Sequence, residues 1–150
     1  RIVYTPGGVV GFQFPSVAIV GVTAFNALAS DTVALASVEA GINDGCAQEH
    51  CNDYHFQGVF DTQFTTSLAK YVVLVGSIHD GMCENTLLET YGGIDCQQSG
   101  LSPGRGLIKL VEKDTNIFLI VTGDSQGVIK AAKVLRNYKD YQLSGFVYKT

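Results

Sequence analysis

Tyr71-Val-Val-Leu-Val-Gly76 is an unbroken aliphatic and β-branched run in which no position is reserved for water. A strand with one wet face alternates apolar with polar residues. A strand buried on both faces does not, and that is the situation of an inner strand in a parallel sheet covered by helices. Upstream, Val17-Ala-Ile-Val-Gly21 is a second short apolar run. It is followed by Ser30-Asp-Thr-Val-Ala-Leu-Ala-Ser-Val-Glu-Ala-Gly41, with a capping residue, an early Asp and a terminal Gly. This reads as strand, loop and helix. Downstream of Gly76, residues 82–90 are expected to form the helix that completes a second such unit.

The next two apolar runs, Leu107-Ile-Lys-Leu-Val-Glu112 and Asn116-Ile-Phe-Leu-Ile-Val-Thr-Gly123, are separated by Lys113-Asp-Thr115. So short a polar turn requires an antiparallel hairpin. After Gly123, Asp124 or Ser125 caps a helix expected to run to about Tyr138. Val128, Ile129, Ala132, Val134, Leu135 and Tyr138 give it an apolar stripe at helical spacing. The tail from Gly145 to Lys149 alternates weakly and reads as an edge strand. The predicted architecture is a three-layer α/β fold, with a Rossmann-like, mostly parallel sheet, one antiparallel hairpin and an extended N-terminal arm. The arm is expected over residues 1–16 and the single α/β domain over residues 17–150. Residues 43–58, rich in turn formers, read as a surface excursion.

Apolar residues make up 46% of the 150 residues and charged ones only 16%, against ~25% charged in an average soluble domain. Much of the surface is therefore expected to face protein rather than water. The net charge of −4, with Lys and Arg never in runs, excludes nucleic acid as a partner. No run approaches the ~20 apolar residues of a membrane span, so membrane insertion is not expected. The chain starts at Arg1 without Met, basic n-region or cleavable apolar segment, and is expected to be a processed product or a fragment.

Four cysteines, Cys46, Cys51, Cys83 and Cys96, fall in two local pairs flanking loop-like sequence. Three pairings are open, and the simplest joins Cys46 to Cys51 and Cys83 to Cys96. Two bridges imply an oxidising compartment. The competing reading is a zinc site drawn from Cys46, His50, Cys51 and His55, but C-x4-C and H-x4-H do not match the usual finger or knuckle. No metal and no cofactor is expected. There is no GxGxxG or GxxxxGK[ST], so Gly76 and Gly123 read as tight strand-to-helix turns. Ser77, His79 and Asp80 lie together at a strand end, where α/β ligands bind. Residues that close in sequence rarely converge on one reacting atom, and there is no GxSxG elbow, so no catalytic residue is assigned. His50 and His55 read as solvated loop residues.

Three segments occur in an order that resembles C-terminal modules of archaeal S-layer and related surface proteins. They are Ser30-Asp-Thr-Val-Ala34; Tyr71-Val-Val-Leu-Val-Gly-Ser-Ile78 followed by Cys83-Glu-Asn-Thr86; and Gly104-Arg-Gly-Leu-Ile-Lys-Leu-Val-Glu112 through Ile120-Val-Thr-Gly-Asp-Ser125 to Lys130-Ala-Ala-Lys-Val-Leu-Arg-Asn-Tyr138. The resemblance covers roughly residues 17–145. It implies a disulfide between Cys83 and Cys96, which occupy the positions of the family's paired cysteines. The chain departs from the family in reading Gly76-Ser-Ile-His-Asp-Gly-Met-Cys83, without Gly-Gly and Pro, and in carrying the Cys46/Cys51 segment.

The resemblance implies a non-catalytic, secreted structural protein at the cell surface, a homopolymer whose partners are copies of itself in a surface layer or filament. The alternative is a module that binds cell-wall polymer or glycan, and a hydrolase using Ser77 or His79 ranks last. Assembly is expected to run through the arm. Ile2, Val3, Tyr4, Val9, Val10, Phe12 and Phe14 are apolar or aromatic, the arm has no charge after Arg1, and the sheet is complete without it.

Overall fold

A computed structural model describes residues 2–5, 8–12, 18–49, 55–141 and 146–150. The strands are β1 (Ile2–Thr5), β2 (Gly8–Phe12), β3 (Ala18–Thr23), β4 (His55–Phe60), β5 (Tyr71–His79), β6 (Met82–Cys83), β7 (Gly106–Lys113), β8 (Asn116–Gly123) and β9 (Val147–Lys149). The helices are α1 (Ala29–Glu49), α2 (Leu87–Thr90) and α3 (Ser125–Arg136). The main sheet has the order β4-β3-β5-β8-β7-β9, with β6 paired to β5 off that path. Strands β4, β3, β5 and β8 are mutually parallel, while β7 is antiparallel to both β8 and β9.

The predicted α/β architecture is thus present, and its layers follow from the strand patterns. In β5, Val73 and Val75 pack on one face with Ile42 and Val38 of α1 and Val128, Ala131 and Leu135 of α3. Val72 and Leu74 pack on the other, with Leu88 of α2, Ile94 and Phe118. All four β5 residues are fully buried, as a run without a wet position requires. Chain order along the parallel strands is second, first, third, fourth. The winding therefore reverses between β3 and β5, and the crevice at their carboxyl ends is the topological switch point.

Four expectations are corrected. The helix expected to stop at Gly41 continues to Glu49, because Gly41 serves packing rather than capping. A Cβ there would lie 3.0 Å from the backbone of Arg136 and Leu135, so its absence lets α1 approach α3. The described part of residues 43–58 is consequently regular structure: α1 to Glu49, then β4 from His55, which runs parallel to β3 with Phe56 beside Ile19 and Val59 beside Val22. The helix expected over residues 82–90 is reduced to Leu87–Thr90. Asp80 and Gly81, at φ 50° and 75°, instead form a two-residue hairpin turn that folds Met82–Cys83 back onto β5. Finally, the N-terminal arm is not one extended strand. Strands β1 and β2 pair antiparallel with each other, Ile2 opposite Phe12 and Val3 opposite Gly11, and form a separate two-stranded sheet. Phe14 lies outside the described residues.

The expected hairpin is β7–β8, closed by Asp114 and Thr115, and β9 is the expected edge strand on β7. Among the described residues no helix is long and apolar enough to cross a membrane.

Candidate functional site

The parallel strands bring their carboxyl ends to one rim of the sheet, where the polar residues of the core collect. Asp31, in the first turn of α1, is fully buried there. Its Oδ2 accepts the Ser77 N–H at 3.2 Å and its Oδ1 the Ser30 hydroxyl at 3.4 Å. Asn85, also fully buried, spans the two strands that flank the switch point. Its Nδ2 donates to the carbonyls of Val22 and Val75, both at 3.2 Å, and its Oδ1 accepts the Leu87 N–H at 3.0 Å. Gly76 makes this possible. It is an interior residue of β5, not a strand-to-helix turn, and a Cβ on it would come within 2.7 Å of the Asn85 Cβ. The rim of the crevice thus holds a buried carboxylate and a buried amide whose partners are backbone groups and the Ser30 hydroxyl.

Beside it, Ser77 and His79 do come together: the Ser77 hydroxyl lies 3.1 Å from His79 Nε2. They alternate on β5 and so share a face. Ser125, the first residue of α3, brings its hydroxyl to 3.4 Å from the same nitrogen. Asp124 caps α3, its Oδ1 accepting the Gly127 N–H and its Oδ2 the Gly104 N–H, each at 2.7 Å. The Gly104 amide above all, helped by those of Gly127 and Gln126 and by the nearby His79, holds its carboxyl below the ordinary 3.8 against the opposing effect of burial, which is second in size. A hydrolytic triad needs an accessible nucleophile on one imidazole nitrogen and a carboxylate on the other. Here one nitrogen faces both hydroxyls and Ser77 is fully buried. Among the described residues no carboxylate is hydrogen-bonded to His79. Asp80 stands apart in the β5–β6 turn.

Cys83 and Cys96 are joined, with Cα atoms 5.5 Å apart and a sequence separation of 13. The bridge ties β6 to the segment after α2 and forms one wall of a cavity of about 530 Å³, which Glu89, Asp95 and the exposed Met82 also line. The Glu89 carboxylate lies within 4.8 Å of both sulfurs. Bonded to each other, the sulfurs offer no thiolate to a metal. No aromatic side chain lines the cavity, so it lacks the flat platform that sugar rings stack on. Cys46 sits near the end of α1, while Cys51 and His50 lie outside the described residues. The Cys46–Cys51 pairing and the rival zinc set with His55 fall there too.

Among the described residues, exposed apolar side chains occur near both edge strands and also at Met82 and Leu68. At the β4 end Phe25 is 63% exposed and meets Phe60 edge to face, ring centroids 5.3 Å apart. Leu28 and Val33, in the segment that follows Phe25, are exposed as well. At the β9 end Phe146 and Val147 are exposed, and Tyr141 meets Tyr148 edge to face at 6.5 Å. The roles of Asp31, Asn85 and Gly41 were not read from the sequence, although the early Asp of α1 was a visible signal for the first. The sequence matches no protein-family model, and no curated protein is significantly similar to it.

Proposed function

We propose that this chain is a non-catalytic structural domain of the cell exterior that assembles with copies of itself into a surface layer or filament. The observation that carries this reading is the pair of open sheet edges. Strands β4 and β9 end the sheet on opposite sides, and each is accompanied by exposed aromatic or aliphatic side chains. Edge strands left open and apolar are templates for another chain, and solitary domains blunt them. Two unlike edges on one subunit make a head-to-tail contact, which propagates into rings or open polymers.

Three features support the same reading. The hairpin β1–β2 forms a sheet of its own, and it carries Ile2, Val3, Tyr4, Val9, Val10 and Phe12, the apolar residues assigned to assembly. The low charge fits a surface largely covered by other subunits. The disulfide fits an exported protein, as does the likeness to S-layer modules. Glycan binding has one observation in its favour, the cavity beside Glu89 and Asp95. Without an aromatic wall it stands second.

Negative-stain electron microscopy and sedimentation of the oxidised protein test the proposal. Concentration-dependent polymers are expected, and a chain that stays monomeric at high concentration overturns it. Deleting residues 1–14 then locates the contact. A shortened chain that is folded by circular dichroism but monomeric assigns a link to the hairpin. One that polymerises normally leaves the sheet edges as the contact.

A further inference from the structure

We infer that β9 of one copy pairs in parallel with β4 of the next, so that the main sheet continues from subunit to subunit. The inference rests on the assembly reading above and names its contact.

Direction comes first. β4 runs parallel to β3, β5 and β8, and β9 regains that direction through two antiparallel steps across β7. The two edges therefore point the same way, and a head-to-tail neighbour meets β4 with a parallel β9.

Register comes next. One row of paired residues crosses the whole sheet: Val147, Lys109, Ile120, Leu74, Val22 and Val59. Residues of one row share a face, so Val147 and Val59 end the row at opposite edges with their side chains on the same side. Counting on along both strands sets Tyr148 level with Phe60, the last residue of β4. Joined at this level, the edges match aliphatic with aliphatic and aromatic with aromatic. Beyond β4 the chain turns into a short 3-10 helix at Asp61, whose Oδ1 accepts the Phe25 N–H at 3.2 Å, and Lys149 brings a cation toward that acidic turn.

The backbone groups agree. Leu110 N–H donates to the Phe146 carbonyl at 2.8 Å, and Thr150 N–H to the Gly106 carbonyl at 3.0 Å. Phe146 and Thr150 thus face β7, and the alternate residues Val147 and Lys149 turn their N–H and C=O outward. On β4, the Phe60 N–H is taken by Gln63 Oε1 at 3.2 Å rather than by β3, so Phe60, and with it Gly58, faces the open edge. A parallel ladder needs an outward residue opposite an inward one, and Val147 opposite Val59 satisfies this. Val147 N–H then donates to the Gly58 carbonyl, and its own carbonyl takes the Phe60 N–H from Gln63.

The test places cysteines at both ends of the row. In the oxidised full chain, V59C/V147C is expected to give a ladder of covalent multimers on a non-reducing gel, since neighbouring strands bring such residues within bridging distance. Q57C/V147C, two residues out of register, is expected to give none. K149E and D61K should each raise the concentration needed for polymer by roughly tenfold or more through like-charge apposition, and K149E/D61K in one chain should restore it. K149E changes only an exposed side chain and decides the matter if the cysteine variants fold poorly, whereas D61K also removes the acceptor of the Phe25 N–H. Wild-type polymers with no ladder and no response to K149E overturn the edge pairing alone. Absence of wild-type polymer overturns the assembly reading, and the pairing with it.

Discussion

The buried carboxylate of Asp31 accepts the backbone N–H of Ser77 at 3.2 Å, joining the first turn of α1 to the end of β5 across 46 residues of sequence. The bond closes the switch-point crevice where an α/β enzyme would hold its ligand. Removing the carboxylate leaves a buried amide without an acceptor. Asp31→Ala is therefore expected to lower stability by roughly 1–3 kcal/mol, the cost of one unsatisfied buried donor. Urea unfolding followed by circular dichroism measures it, and a change within a few tenths of a kcal/mol contradicts this role.

Replacing both Cys83 and Cys96 by Ala should destabilise the domain by roughly 2–4 kcal/mol, as expected for opening a loop of this length. A non-reduced digest analysed by mass spectrometry should contain the Cys83–Cys96 peptide pair. Free thiols at both positions in the native protein would refute the bridge.

Asp124 gives the stability a specific acid limb. Its carboxyl is held below 3.8 in the folded chain, by the Gly104 amide above all. A depressed carboxylate stabilises the fold at pH above its unfolded value, and that contribution is lost as the pH falls through the lower folded value. The wild type should therefore lose stability more steeply than Asp124→Asn as the pH falls below 3.8. At neutral pH Asp124→Ala should cost about 1 kcal/mol through loss of the helix cap. Thermal melts across that pH range compare the two slopes, and parallel slopes would remove Asp124 from the acid limb.

If the domain is non-catalytic, Ser77→Ala and His79→Ala should leave polymer formation unchanged and abolish no activity in a screen of esterase, peptidase and glycosidase substrates. Each change removes the Ser77–His79 hydrogen bond, and His79→Ala the longer Ser125 contact as well, with a stability effect of about 1 kcal/mol. A robust hydrolytic activity lost in either variant would reverse the assignment.

Several elements were legible in the chain because their signals are local. The apolar run at 71–75 could be satisfied only by burial on both faces, and that fixed the layered α/β class. The Lys113-Asp-Thr115 turn left no other connection than a hairpin, and the stripe of residues 128–135 specified both α3 and its buried side. The spacing of Cys83 and Cys96 around turn-rich sequence favoured a local bridge. By the same logic Asp80-Gly81 was a readable hairpin signal, hidden beneath the expectation that a helix must follow a parallel strand.

The sequence by itself determined the fold class, the inner strands and α3, because propensity, hydrophobic period and turn chemistry act between residues close together in the chain. Only the tertiary structure decided what depends on distant partners. Gly41 continues a helix because the backbone at Arg136 lies against it, and Gly76 stays inside a strand because Asn85 needs its missing Cβ. Asp31 can be buried because the Ser77 amide is there to receive it. A glycine or a polar side chain carries no local mark of which distant backbone it will meet. Its role is set by the packing that brings that backbone within 3 or 4 Å.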